Sequence, residues 1–248
     1  MSAPPLTRRN LLSGTAAVGS ALALQHTAEA RTISGEVPWT PGQADAPQPI
    51  VGGGLQFFTA DEAKFIDAAV ARLIPADDLG PGAKEAGVTT FLDRQLAGAY
   101  GRAERWYMQG PWAHGTEQQG FQSRMTPAQF YRAAIRAVDD YCSKNFGGKR
   151  FSDLSASDQD QVLEKLEKGE AQLESVMGQT FFGQLLQNTI EGFWSDPIYG
   201  GNRDMIGWKL IGFPGAHYDY RPYVNKHGQP VDLSPVSIKG RPGWNPQG

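Results

Sequence analysis

The side chains that could do chemistry are few, and their spacing does not favour it. Cys142 is the only cysteine in 248 residues. That excludes, within this polypeptide, a c-type haem attachment motif, a cysteine-ligated iron–sulfur cluster and a CxxC redox pair. His217-x-Asp219 offers two metal ligands in a stretch rich in Gly and Pro, fewer than a zinc site needs, so a hydrogen-bonded or solvent-facing histidine is the plainer reading. Asp196 and Asp204 flank Gly200-Gly201-Asn202 and are the one carboxylate pair that could be called acid and base. They are expected instead to cap turns and to pair with Arg203 or Lys209. Gly52-Gly53-Gly54 is followed by Phe57 where a dinucleotide loop needs glycine, and prolines precede it where a strand should be. Neither a GxSxG elbow nor a P-loop is present. Carboxylates such as Glu164 and Glu167 sit beside lysines, as on a solvated helix face. The expectation is therefore no catalytic, cofactor-binding or metal-binding residue in this chain.

The stretch under the strongest constraint is Gly192 to Gly215, GFWSDPIYGGNRDMIGWKLIGFPG. Pro197, Gly200, Gly201, Gly207, Gly212 and Pro214 break any regular element. Phe193, Trp194, Tyr199, Trp208 and Phe213 are costly to leave in water. A loop this apolar must be pinned against its own helices or another protein. Asp196 before Pro197 favours an extended or turn start, and Gly200-Gly201-Asn202 tolerates positive φ, hence a tight reversal.

From Asp196 to Gly215, continued by Ala216, His217 and Tyr218, this run resembles the signature of the gluconate 2-dehydrogenase subunit 3 family. The resemblance extends back to about Phe57 and through the leader, and is less diagnostic after Tyr223. These are small subunits of membrane-bound, flavin-dependent sugar and sugar-acid dehydrogenases. The resemblance implies a heterotrimer. A large subunit would hold FAD and oxidise gluconate to 2-ketogluconate, or fructose, sorbitol or glucose. A multi-haem cytochrome c subunit would anchor the assembly and pass electrons to quinone. The cofactors, FAD and haem c (an iron–sulfur cluster is left open), would thus lie in partner subunits. The small subunit would stabilise the FAD subunit and escort it through the Tat translocon to the periplasmic face of the cytoplasmic membrane. Its partner interface would be the signature itself: Trp194, Asp196, Pro197, Tyr199, Gly200, Gly201, Asn202, Arg203, Trp208, Phe213, Pro214 and Tyr218. Two other readings stand beside it: an enzyme with a site around Asp196, His217 and Asp219, and a free-standing periplasmic sugar-binding module.

The leader supports export on its own terms. Arg8-Arg9 precede a short, glycine-diluted apolar run, Leu11 to Leu24, and Ala28-Glu29-Ala30 fits small-x-small cleavage after Ala30. Paired arginines before a weakly hydrophobic core read as a Tat-type signal, with an ordinary secretory signal whose basic region is two arginines as the other reading; either implies export. An unpaired cysteine in an exported protein leaves two readings for Cys142, a small buried hydrophobe or an intersubunit disulfide. A net charge of −3 gives no basic footprint for nucleic acid.

The elements that must carry the signature read as helices. Thr59-Ala60-Asp61-Glu62 is a capping box, and helical spacing runs from it to Pro75. A second helix is expected from Val88 or Thr90 to Tyr100. A third starts at Thr126-Pro127 and runs to about Asn145, a fourth spans Ser155 to Lys168, and a fifth covers roughly Ala171 to Glu191. The fifth is expected to present Phe182, Leu185, Leu186, Thr189 and Ile190 inward. Gly101 to Met125 has no clean period. The fold class is mainly α: an irregular helical domain with long loops rich in Gly, Pro and aromatics, and an extended C-terminal tail. The domain reading is a signal peptide over 1–30, an extended arm over 31–56, the helical domain over 57–223 and the tail over 224–248.

Overall fold

A computed structural model describes residues 54–238, apart from 111, 113–115, 117–118, 120–122, 218 and 231–232. The described residues are mainly helical. Their only β pairing is two isolated bridges, Asp77 with Gly80 and Gly215 with Val236. Among them, no helix is long and apolar enough to cross a membrane.

Helix α1, Ala60–Leu73, opens on the expected capping box: the Thr59 side chain accepts from the Glu62 amide and Glu62 accepts from the Thr59 amide. It buries Phe65, Ile66, Ala69 and Val70. Helix α2, Val88–Ala97, ends three residues short of the expected Tyr100, because the chain leaves helical geometry at Gly98. Its Asp93 is buried and ties down the segment leading into α1. One carboxylate oxygen accepts from the amides of Phe57 and Phe58 (both 2.9 Å), the other from Gln56 (2.7 Å).

Helix α3, Pro127–Asn145, starts on the second capping box and has Pro127 in its first turn. Helix α4, Ala156–Glu167, is capped by Ser155. Helix α5, Gly178–Trp194, begins seven residues later than expected. The amides of Glu170 and Ala171 both return to the Lys165 carbonyl (2.8 and 3.1 Å), closing α4, and Ala171 is buried before the chain turns back.

The inner face of α5 also differs from the expectation. Phe181, Leu185, Asn188, Thr189 and Phe193 are buried, whereas Phe182 and Leu186 are only partly covered and Ile190 is exposed. Phe181 takes the central place: its ring lies 6.3 Å from Phe65 and 5.7 Å from Tyr131, and Phe65 in turn lies 4.7 Å from Phe151. Asn188 is tolerated inside because its side-chain oxygen accepts from the hydroxyls of Tyr131 (2.7 Å) and Tyr100 (3.2 Å). Each large side chain buried here contributes about 1.5–3 kcal/mol.

Cys142 lies on α3 within this core with no exposed surface, and burial pushes its thiol up to about 12. Of its two readings, this is the buried hydrophobe: a disulfide to another chain needs a sulfur at the surface. Cys142 is expected to resist alkylation in the native protein and to react on unfolding. Rapid native labelling by a maleimide would contradict the placement.

Candidate docking surface

The end of α5 feeds the signature directly into a knot of short turns. Asp196 caps a single 3-10 turn, Pro197–Tyr199, accepting from the Ile198 amide at 3.0 Å. A second such turn, Arg203–Met205, leads into the short helix α6, Ile206–Ile211. Between them Asn202 is fully buried in the left-handed region, with φ of 44°. Its side-chain amide donates to the Ser195 carbonyl (2.8 Å) and its oxygen accepts from the Gly207 amide (2.8 Å). One side chain therefore joins the end of α5 to the start of α6, and supplies an acceptor for an amide that the helix leaves orphaned.

Two glycines are required by space. A Cβ on Gly201 would lie 2.1 Å from the Gly192 carbonyl oxygen, and one on Gly207 would lie 2.5 Å from that of Phe193. The signature thus packs backbone to backbone on the last turn of α5. Asp204 (φ 57°) and Met205 (φ 54°) are also held left-handed, a conformation that costs about 1–3 kcal/mol for a residue with a side chain unless its surroundings enforce it. Here Met205 is buried and the Arg203 amide is fixed to the Ala86 carbonyl at 2.9 Å.

Trp208 completes the knot. Its indole nitrogen donates to the Trp194 carbonyl (2.8 Å), and its ring meets Phe213 edge to face at 5.2 Å. The chain then makes an excursion and comes back. Val236 bridges to Gly215, the Ala216 amide donates to the Val236 carbonyl (2.7 Å), and Val236 donates to Pro214 (3.1 Å). Asp196 secures the return: its carboxylate accepts from the Ser237 hydroxyl (2.7 Å) and the Ile238 amide (2.7 Å). Three residues of the expected C-terminal tail therefore lie on this chain's own signature.

The residues expected to form a partner interface divide into two sets. Asp196, Pro197, Gly200, Gly201, Asn202 and Trp208 are buried within the chain, so their side chains are spent on the corner itself. Trp194 and Pro214 are partly covered, while Tyr199, Arg203 and Phe213 are exposed. The carboxylate of Asp196 takes Ser237 and backbone amides rather than Arg203 or Lys209. Tyr218, like Arg8, Arg9 and Ala30, lies outside the described residues.

The groups considered for an acid/base or metal site are not free either. His217 Nε2 donates to the Ser234 carbonyl at 2.9 Å. Asp219 is held by the guanidinium of Arg221 through Nε and Nη2, both at 2.8 Å, which keeps its carboxyl below the usual range. Among the described residues, no cluster of three His, Cys, Asp or Glu side chains could hold a metal ion.

A family model described as gluconate 2-dehydrogenase subunit 3 matches residues 60–215, from the first residue of α1 through the last glycine of the signature. The chain belongs to that family. Its name makes the chain one subunit of a multi-subunit dehydrogenase complex. Comparison with curated proteins and with solved structures gave no match.

The large apolar side chains left exposed near the signature lie on the rim of the corner. Leu210, Ile211 and Phe213 are exposed on α6 and its exit. Across from α6, Leu79 projects from the loop before α2. The two walls enclose a groove of about 350 Å³ lined by Leu79, Gly80, Pro81, Ile206, Lys209 and Leu210. Sequence reasoning missed Leu79, Leu210 and Ile211, because a lone exposed leucine carries no signal until its neighbours in space are known.

Proposed function

We propose that this chain is the non-catalytic small subunit of a membrane-bound, flavin-dependent dehydrogenase that oxidises gluconate or a related sugar. It stabilises the flavoprotein subunit and escorts it through Tat export. The match of the family model across the helical domain and the whole signature carries this reading. Two features support it. Arg8-Arg9 ahead of a weakly apolar run is the pattern of a signal that exports folded cargo. The signature residues build a rigid corner whose outer rim is apolar, as a docking surface needs. FAD and haem c belong to the partner subunits in this reading, and the complex works at the periplasmic face of the cytoplasmic membrane.

Replacing Arg8 and Arg9 by lysine tests the escort. Dehydrogenase activity with an artificial electron acceptor is expected to move from the periplasmic side to the cytoplasm, with the flavoprotein still folded. Normal periplasmic activity in that variant would remove the escort role.

A further inference from the structure

Beyond Gly215 the described residues are exposed or half-covered except at Val236 and Ser237, which are buried. We propose that residues 236–238 form a latch on the corner, a segment that releases and recloses as a unit with Asp196 as its catch while the helices stay folded. The inference concerns this chain alone and does not depend on the identity of any partner subunit.

The latch closes through two pairs of hydrogen bonds. One pair is backbone to backbone: the Ala216 amide donates to the Val236 carbonyl (2.7 Å) and the Val236 amide to the Pro214 carbonyl (3.1 Å). The other uses both oxygens of Asp196. Oδ1 accepts from the Ser237 hydroxyl and Oδ2 from the Ile238 amide, both at 2.7 Å. Oδ1 also accepts from the Ile198 amide, a bond within the corner that holds the catch in place when the latch leaves. A buried carboxylate is costly unless donors surround it, and two of its three come from the latch, which favours closure. Space points the same way. At Gly215 (φ 75°) a Cβ would lie 2.2 Å from the Val236 carbonyl oxygen and 2.7 Å from its nitrogen, so closure requires glycine there.

Release is local for equally plain reasons. The interior gives up only Val236 and Ser237. Residues 216–235, which join the two feet, contain one 3-10 turn, Arg221–Tyr223, with no buried residue, so opening moves no helix. Segments that bury little and are held by few hydrogen bonds open at lower free energy than a core. Opening frees the Pro214 carbonyl, the Ala216 amide and the Asp196 carboxylate together, an edge of the kind on which extended segments pair. In the closed state the chain occupies that edge itself.

Native-state hydrogen exchange of the full chain at low urea reads the latch through the amides of Ala216, Val236 and Ile238, each of which donates one of its bonds. They are expected to share one opening equilibrium, protected but at least roughly tenfold less than the centre of α3. Ser237→Ala removes one donor and leaves the Asp196 bond to Ile198 intact. All three amides should then exchange roughly tenfold faster, with α3 unchanged. Gly215→Ala puts a Cβ where the Val236 carbonyl lies; protection at Val236 and Ile238 should vanish while the helical circular dichroism persists. Three amides that exchange only together with α3 would overturn the latch, since the return would then open only with the whole fold. So would absence of protection in the wild type, or a Ser237→Ala effect confined to Ile238. Protection that falls on dilution would assign the bonds to a second copy of the chain and would equally overturn it.

Discussion

Asn202→Ala is expected to lower the free energy of unfolding by about 4 kcal/mol, combining two lost buried hydrogen bonds with a left-handed backbone that alanine adopts poorly. The Gly207 amide loses its partner in a buried site and the Ser195 carbonyl loses its partner in a partly covered one. Because a domain's whole stability is roughly 5–15 kcal/mol, this one change removes a large share of it. Asn202→Gly separates the two causes: it accepts the backbone conformation and should recover about 1 kcal/mol while the bonds stay broken. Urea unfolding followed by circular dichroism reads both variants. A midpoint for Asn202→Ala close to wild type would mean that the corner is held by something other than this side chain.

Asp93→Ala has the second-largest expected effect, about 3 kcal/mol, because three amides lose a charged acceptor together. The Phe58 amide is buried and bears the largest share; Gln56 lies at the surface, where water replaces part of the bond. Asp93→Asn keeps one acceptor oxygen and should fall between alanine and wild type. Hydrogen exchange is the sharper readout. The amides of Gln56, Phe57 and Phe58 should lose protection in Asp93→Ala while the centre of α3 keeps it. Unchanged protection at these three positions would show that the carboxylate does not hold the segment.

The helices were legible wherever local chemistry marks an end. The capping boxes at Thr59 and Thr126 set two starts in advance, because a side chain and an amide three residues apart suffice, and the expected start at Ser155 proves to be a cap of the same kind. The start of α5 was not legible. Residues 171–177 have helical composition, but burial of Ala171 and a closing bond to Lys165 decide their path, and both are tertiary facts. The same holds for the inward turn of Asn188, which two tyrosine hydroxyls from distant segments make tolerable. In the signature, glycines and apolar rings announced a pinned loop. They did not separate residues that pin from residues that face out. By sequence Gly201 belongs to a tight reversal tolerant of positive φ, yet its own φ is not positive and close approach of the Gly192 carbonyl is what demands glycine there. The role of Asp196 depends on Ser237, forty-one residues away, which no local pattern connects to it.

The closed excursion between Gly215 and Val236 has a practical consequence. Both of its feet are tied, and Val224 to Pro230 are exposed along its outer part. Lengthening a loop whose ends are already fixed costs little, about 0.6 kcal/mol for each doubling. An epitope inserted between Lys226 and Gly228 would therefore give a handle for detecting this subunit while leaving both chain termini untouched.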